Sequence, residues 1–532
     1  VDDTPWSDPR VEVDEMAIST LKSYIDKGFI KSFKSYDAVK QYLKGVDPVI
    51  SDLVVLTKER AGKVKKRLIL NLKASGVSAA SLNAEQVLLP TSSDVSWDIV
   101  ELLDDMSDDE ELALAVLDFE DAFFQIPVMD DEQPFLVTFL NGDYLVFERT
   151  AQGTRGAPLL WARTAALISR LSSALASTSQ LRISTYVDDP ILAVRGTLEV
   201  RRRVLVKVVA SWMALGFRLS FPKASYSDHA QAITWTSAEF KVYRETLIVR
   251  VKDAITREVG EEVKQILLLN VVPEARVRTL LGKAVCVASL LPTWRPFLAM
   301  AWAPLYTEAC YKQKGILWVK TLRTALLWMN AFLSRAKGTI EKRIDLADFR
   351  QTGSKVCLVL DASPFGIGGY MMIDGIPWAF FSEQLTALDH ERFGYARGDA
   401  AGQQTWEALA VLVALRMWSP LWRKKRVVLT VKSDSVSALT ILVRFKTAGV
   451  MPGLIAREIA LDVAECVYQP AVVAHIPGKT NVIADELSRI NVDEGTLAKN
   501  NIASIPPLLK KAQRWLPPPR DSAFYRTLLP PT

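Results

Sequence analysis

Seven carboxylates and one histidine stand where their chemistry would be costly unless something offset it. Asp188 and Asp189 are adjacent in "TYVDDPIL", and Asp118 closes the apolar run "LALAVLD". Adjacent carboxylates repel one another, and divalent cations held by oxygen ligands are the usual compensation. Two such ions can clamp an in-line phosphoryl transfer, which leaves the protein mainly the task of holding its carboxylates still. A second set follows: Asp361 in "CLVLDAS", Glu407 in "QQTWEALA", Asp434 in "LTVKSDS" and Asp485 in "NVIADELSR", with His475 ten positions earlier (485 minus 475). Taken singly, each acid has an ordinary alternative as a turn, cap or helix-surface residue. As a set they suit a second two-ion site.

The elements that would carry these groups are readable from pattern. "LRISTYVDDPILAV" is two short apolar runs around the acid pair, a hairpin with acids at its turn. "DLVVLTKE" and "RLILNL" enclose the basic segment "KERAGKVKKR", a hairpin with a charged tip suited to phosphates. Residues 12–44 read as helices, with Met16, Leu21, Ile25 and Ile30 at helical spacing and turns near Gly28 and Gly45. Residues 253–335 read as helices broken by Pro273, Pro292, Pro296 and Pro304. A new α/β pattern begins at "KVCLVLDAS": Asp361 closes a strand before a glycine-rich hairpin, Glu407 opens an apolar helix, and Asp434 ends another strand. Beyond Arg489 the Pro-rich, basic "PPLLKKAQRWLPPPRDSAFYRTLLPPT" reads as linker or docking segment.

Composition bounds the rest. A chain of 532 residues predicts three or four domains, and 49% hydrophobic with 23% charged residues excludes a chain disordered throughout. The net charge of +5 permits a polyanionic partner without requiring one. Cys286, Cys310, Cys357 and Cys466 form no CxxC or Cys/His spacing, which argues against a zinc site or disulfide framework and fits a reducing compartment. Stretches such as "VKQILLLNVV" and "KAVCVASLLPTW" are too short for a membrane span and read as core helices. No secretory signal is visible, so a cytoplasmic or nuclear location is expected; the start at Val1 rather than Met fits a piece of something longer.

"LDFEDAFFQIPV", "FERTAQGTRGAP", "TYVDDPILAV" and "GFRLSFPKAS" resemble, in sequence and in order, the successive palm motifs of reverse transcriptases. "HIPGKTNVIADELSR" resembles the C-terminal motif of retroelement ribonucleases H, and "RTLLGKAVCVASLLPTWRPFLAMAWAPLY" more loosely resembles a retrotransposon thumb and connection. The resemblance spans roughly residues 20–490. It implies an LTR-type or tyrosine-recombinase-type retroelement enzyme that copies RNA and DNA templates and cleaves the RNA of RNA–DNA hybrids. The implied fold is α+β and multidomain, a right-hand polymerase with fingers, a palm with a ferredoxin-like antiparallel sheet and a helical thumb/connection, followed by an α/β ribonuclease H-like domain. The implied boundaries are 1–44 for an N-terminal helical support, 45–240 for fingers and palm, 241–350 for thumb/connection, 351–492 for ribonuclease H and 493–532 for a tail or linker.

Carried over by position, the resemblance makes Asp118, Asp188 and Asp189 the polymerase metal ligands, assisted by the Phe119 carbonyl. Phe123 becomes the aromatic gate beneath the sugar, with a core aromatic as the alternative. Gln152 and Gly153 line the nucleotide pocket, Lys223 sits near the pyrophosphate, and Arg67 grips the triphosphate with Lys63, Lys65 and Lys66 as helpers. Asp361, Glu407, Asp434 and Asp485 become the ribonuclease H metal ligands, His475 a proton shuttle or product-release group, and Asn481 a loop-ordering residue open to nucleic acid. The implied cofactor is Mg²⁺, two ions per site, with Mn²⁺ as the alternative, and the implied partners are an RNA template, a DNA primer, their hybrid and dNTPs, with no membrane. Two residues depart from the family pattern: Asn71 replaces a common Asp, and Pro190 follows the acid pair, where it removes a ladder donor and restricts Asp189. They keep open a different class of reading, a decayed or domesticated copy that binds nucleic acid without chemistry or retains only the ribonuclease H.

Overall fold

A computed structural model describes residues 9–60, 63–83, 85–104, 106–228, 231–306, 315–422, 425–468, 472–490 and 506–531. The chain divides into two compact units, Val1–Pro90 with Glu101–Thr236, and Thr91–Val100 with Ser237–Thr532. It is α+β throughout, as expected, with a four-stranded antiparallel sheet in the first unit and a six-stranded mixed sheet in the second. No helix among the described residues is long and apolar enough to cross a membrane. Cys286, Cys357 and Cys466 are free thiols, and Cys310 lies outside the described residues.

In the first unit the strands are β1 (Ile30–Phe33), β2 (Asp52–Arg60), β3 (Lys63–Asn71), β4 (Glu111–Val116), β5 (Val137–Leu140), β6 (Asp143–Phe147), β7 (Leu181–Tyr186), β8 (Asp189–Gly196), β9 (Ser225–Ser227) and β10 (Ala232–Trp235). The four-stranded sheet that carries the acid pair has the order β7-β8-β4-β9, antiparallel at every pairing. Helices Ala157–Ser173 and Leu198–Ala214 bury Trp161, Ala165 and Ile168, and Val204, Val208 and Trp212, in one core with Ala115, Leu192 and Val194 of the sheet. The basic hairpin is β2–β3, paired from Asp52↔Asn71 to Arg60↔Lys63, with residues 61–62 outside the described set.

The helices expected over residues 12–44 are Glu15–Asp26 and Tyr36–Tyr42, but β1 lies between them and pairs antiparallel with β6. Four residues are too few to show a strand period, and Ile30 counted equally well toward a helical stripe. β1, β6 and β5 form a separate three-stranded sheet.

The second unit opens with β11 (Ala238–Val242) and β12 (Thr246–Val251), then helices Asp253–Leu267, Glu274–Leu290, Arg295–Tyr306 and Val319–Leu333, where a helical connecting region was expected. Short strands β13 (Val271–Pro273) and β14 (Ile316–Trp318) pair among them, and β15 (Glu341–Asp345) returns to β12. Trp294 is a core residue at 1% exposure. The remaining strands, β16 (Ser354–Ala362), β17 (Gly366–Ile373), β18 (Ile376–Gln384), β19 (Val427–Ser433), β20 (Val472–His475) and β21 (Gln513–Arg514), form one sheet of order β20-β19-β16-β17-β18-β21. β16, β19 and β20 run parallel, so their carboxyl ends lie along one edge. Helix Gln403–Trp422 is buried on all sides, which explains its lack of a polar stripe. Helix Val482–Arg489 lies close on β17, where a Cβ at Gly368 would come within 2.4 Å of the Leu487 carbonyl carbon.

The Pro-rich segment after 492 does more than link. Its described part adds β21 to the edge of the sheet, Trp515 N–H donates to the Phe380 carbonyl (2.8 Å), and Leu509 joins Phe380 and Leu487 in a small core. Arg520, its side chain 1% exposed, donates to both oxygens of Asp389, which is 0% exposed, and to Glu383. Removing one partner of a buried ion pair strands the other charge, at a cost of roughly 3–5 kcal/mol. Arg520→Met is therefore expected to destabilise the second unit by about that amount in urea unfolding; a change below about 1 kcal/mol would show that the tail is not structural.

Candidate active sites

The first centre follows from the hairpin β7–β8. Its register runs without a slip from Leu181↔Val194 to Tyr186↔Asp189, leaving Val187 and Asp188 as the turn. Asp118 lies two residues beyond β4, the strand next to β8. Phe119 N–H donates to the Asp188 carbonyl (2.9 Å) and Leu117 N–H to the Pro190 carbonyl (3.0 Å), so the acid-bearing segments are stitched together through backbone. Pro190 does not interrupt the β7–β8 pairing. It sits opposite Thr185 within the ladder, buried, with its one backbone group in use.

Burial raises the proton affinity of Asp188, with Asp118 adding to the effect, while Lys223 and Arg67 oppose it. Asp189 is pushed up to about 6, by burial first and then by Asp188 and Asp118. Lys223 ion-pairs directly with Asp118 (Nζ to Oδ1, 2.6 Å), close to the acids themselves. Arg67 is exposed on β3, near enough to Asp188 for its charge to act there. Lys66 is not free for a phosphate: it pairs with Asp14, the N-cap of helix Glu15–Asp26. The side chains of Lys63 and Lys65 lie outside the described residues. Phe119 is core, ringed by Trp161, Trp212 and Phe217, while Phe123 is half-buried against the same core.

Gln152 and Gly153 meet β3. The Gln152 carbonyl accepts from Leu70 N–H (2.9 Å), and Gly153 has φ +111, a conformation that L side chains rarely adopt. A Cβ there would lie 2.1 Å from the Leu70 carbonyl oxygen, so glycine is required for this approach. Asn71, the other departure from the family pattern, closes the β2–β3 ladder opposite Asp52 and accepts from Lys73 N–H (3.4 Å).

The second centre is the more tightly drawn. Asp361 near the carboxyl end of β16, Asp434 just past that of β19 and Glu407 on the central helix each offer an oxygen, all within 4.8 Å of one another. Asp361 is 4% and Glu407 6% exposed, and Asp361 Oδ2, Glu407 Oε2 and Asp434 Oδ1 are buried without a hydrogen-bond partner. Three unpartnered carboxylate oxygens converging in this way fit a hard divalent cation, which takes oxygen ligands. Burial pushes Asp361 up to about 7, helped by Asp434 and Asp485, and Glu407 up to about 9, helped by Asp361.

Gln403, one turn before Glu407, donates to Glu407 Oε1 (2.7 Å) and to the Ala362 carbonyl (2.6 Å), tying the helix to β16. Sequence reasoning passed over it, although its i,i+4 spacing from Glu407 was visible. Asn481 is buried at 2% exposure and donates to Asp361 Oδ1 (3.3 Å) and the Leu360 carbonyl (3.1 Å), so it orders the site rather than meeting nucleic acid. Asp485 stands outside the close trio and pairs with Arg489 (2.7 Å). His475 is exposed at the end of β20, with Nε2 3.1 Å from the Asp434 carbonyl oxygen.

The chain resembles viral polymerases of known structure only distantly. A foamy viral protease-reverse transcriptase dRH in complex with double-stranded DNA is 14% identical at a TM-score of 0.46, with 89% of this chain and 71% of that chain covered. The foamy viral protease-reverse transcriptase in complex with an RNA/DNA hybrid gives 13% identity and a TM-score of 0.44 over 89% of this chain and 55% of that one. The same protein in complex with double-stranded DNA gives 13% and 0.45 over 89% and 84%. No protein-family model matches the chain, and no curated protein does.

The raised proton affinities of the second centre have a definite sign. Asp361 and Glu407 bind protons more tightly folded than at their ordinary values of 3.8 and 4.5, so the cation-free fold loses stability as pH rises from that range through about 7 and about 9. A divalent cation needs the ionised forms. Mg²⁺ is therefore expected to raise the melting temperature clearly at about pH 8.5 and little at about pH 5, and Asp434→Asn to remove most of the effect. A Mg²⁺ shift that is the same at both pH values would rule out these carboxylates as its ligands.

Proposed function

We propose that the chain is an RNA- and DNA-templated DNA polymerase that also cleaves the RNA strand of RNA–DNA hybrids, from a retroelement of the LTR or tyrosine-recombinase type. The observation that carries this reading is that each unit builds its own carboxylate centre from the motifs in which the sequence resembles reverse transcriptases and ribonucleases H. Mg²⁺, or Mn²⁺, bound at these centres would neutralise the acids and stabilise charge on the transferring phosphoryl group.

In the first unit Asp118, Asp188 and Asp189 hold their oxygens toward the reacting phosphates, on backbone fixed by β4 and β8. Lys223 neutralises Asp118 until substrate arrives, and is then placed to hand a proton to the departing pyrophosphate. Arg67 on β3 grips the triphosphate of a dNTP through its planar fork. Gln152 and Gly153 bring backbone close to the nucleotide, and Phe123 sits beneath its sugar. In the second unit Asp361, Glu407, Asp434 and Asp485 would hold the cations that meet the scissile RNA phosphate, with Gln403 and Asn481 fixing the carboxylates that they touch. His475, exposed beside Asp434, is placed to move a proton or let product leave. RNA template, DNA primer and hybrid are bound chiefly through backbone and helical geometry. The location proposed for this work is cytoplasmic or nuclear.

The purified chain is expected to extend a DNA primer on an RNA template with dNTPs and Mg²⁺, and Asp188→Asn to lower that rate at least about 100-fold while leaving hybrid cleavage intact. Asp434→Asn is expected to do the reverse. Extension that survives Asp188→Asn would remove the acid pair from the chemistry, and a folded, hybrid-binding chain that performs neither reaction would overturn the reading.

A further inference from the structure

The turn that carries the acid pair is strained at a residue outside the acids themselves. Val187 has φ +54, and a β-branched side chain in the left-handed region is a true outlier. It occupies the first of the two turn positions, where glycine is the usual occupant when only that residue has positive φ. Because the preceding strand is held in its ladder up to Tyr186, rotation about the Val187 N–Cα bond that relieves the positive φ swings the peptide plane that follows. That plane joins Val187 to Asp188, so its rotation would redirect the Asp188 side chain.

One group holds the plane. Trp161 Nε1–H donates to the Val187 carbonyl at 2.6 Å. The indole is 0% exposed, lies on helix Ala157–Ser173, and packs edge-on against Phe119, the neighbour of Asp118, at 5.2 Å between ring centroids. A second indole, Trp235, donates to the Asp189 carbonyl at 2.8 Å. Together with the Phe119 and Leu117 amides, these bonds fix four successive carbonyls from Val187 to Pro190. Among the described residues the indole N–H groups of Trp294, Trp328, Trp406 and Trp418 are buried without a partner, and that of Trp212 donates to the Ser172 hydroxyl (2.6 Å).

We propose that Trp161 is a positioning residue for the first carboxylate centre: its N–H locks the Val187–Asp188 peptide plane against relaxation and so aims the Asp188 carboxylate at its place beside Asp118. The ring supplies core packing, and the N–H supplies alignment. Removing the N–H alone should therefore misplace a reacting group while leaving the core filled, and small misplacements of reacting groups cost up to about 100-fold in rate. In its catalytic consequence the proposal rests on the polymerase reading.

The test is Trp161→Phe in the full chain. Single-nucleotide extension is expected to lose roughly 10- to 100-fold in kcat with KM for the dNTP within about 2-fold. Hybrid cleavage by the same preparation is expected to be unchanged. Val187→Gly, which removes the strain, is expected to restore part of the loss when combined with Trp161→Phe, a coupling that a merely structural role would not produce. A measurement that needs no polymerase activity is Mn²⁺ binding followed by electron paramagnetic resonance, in an Asp434→Asn background that silences the second centre. Trp161→Phe should weaken the remaining site about 10-fold or more. Unchanged kcat with unchanged Mn²⁺ affinity would overturn the proposal, as would a loss shared equally by hybrid cleavage. Absence of extension by the unmodified chain, with weaker Mn²⁺ binding in the variant, would overturn the polymerase reading and leave the positioning role supported.

Discussion

Carboxylates taken out of water beside one another pull protons back onto themselves, and the architecture of both units is organised against that tendency. In the first unit the acids stay half-buried, and the opposing charges of Lys223 and Arg67 reach them from outside the sheet. In the second they are buried more deeply, and no lysine or arginine among the described residues pairs directly with the close trio. What holds them is covalent and hydrogen-bonded framework: two parallel strands, a helix sunk in the core, and the amides of Gln403 and Asn481. One centre is therefore tuned by cationic side chains and the other by hydrogen-bonded framework.

Rigid geometry needs close backbone approach, and in both units glycine supplies it. Gly153 lets the segment before helix Ala157–Ser173 press on β3, so that the "QG" step is bonded to the β2–β3 hairpin. Gly368 lets helix Val482–Arg489 settle onto β17, which brings Asn481 and Asp485 to the edge where β16 and β19 end.

The parts of the molecule legible in sequence are those decided locally. The acid-bearing hairpin announced itself through the short apolar runs on either side of "DD", and the helices of residues 253–335 through their spacing, since both patterns arise within one element. What escaped was decided by distant partners. β1 exists because β6 offers an edge more than a hundred residues later. Lys66 reads as a phosphate-gripping lysine until Asp14, 52 positions earlier, is found to occupy it. Asn481 reads as a surface loop residue, yet it is buried because its amide bonds to β16. Pro190 looked like damage because a proline in a strand removes a donor; at the start of β8 the carbonyl suffices. Composition misled most at the C-terminal end, where proline suggested a linker and the physical content lay in one arginine.

That arginine bears on how the chain is made. Asp389 caps a helix by accepting from Thr386 and lies fully buried, yet its counterion Arg520 is 131 positions further on. During synthesis, β16 to β20 and the central helix all leave the ribosome while Asp389 still lacks its partner. An unpaired buried carboxylate opposes closure of the core around it, so the second unit can collapse early but can settle only after its last stretch arrives. Completion of this fold is thus timed by translation, with Arg520 as the closing piece.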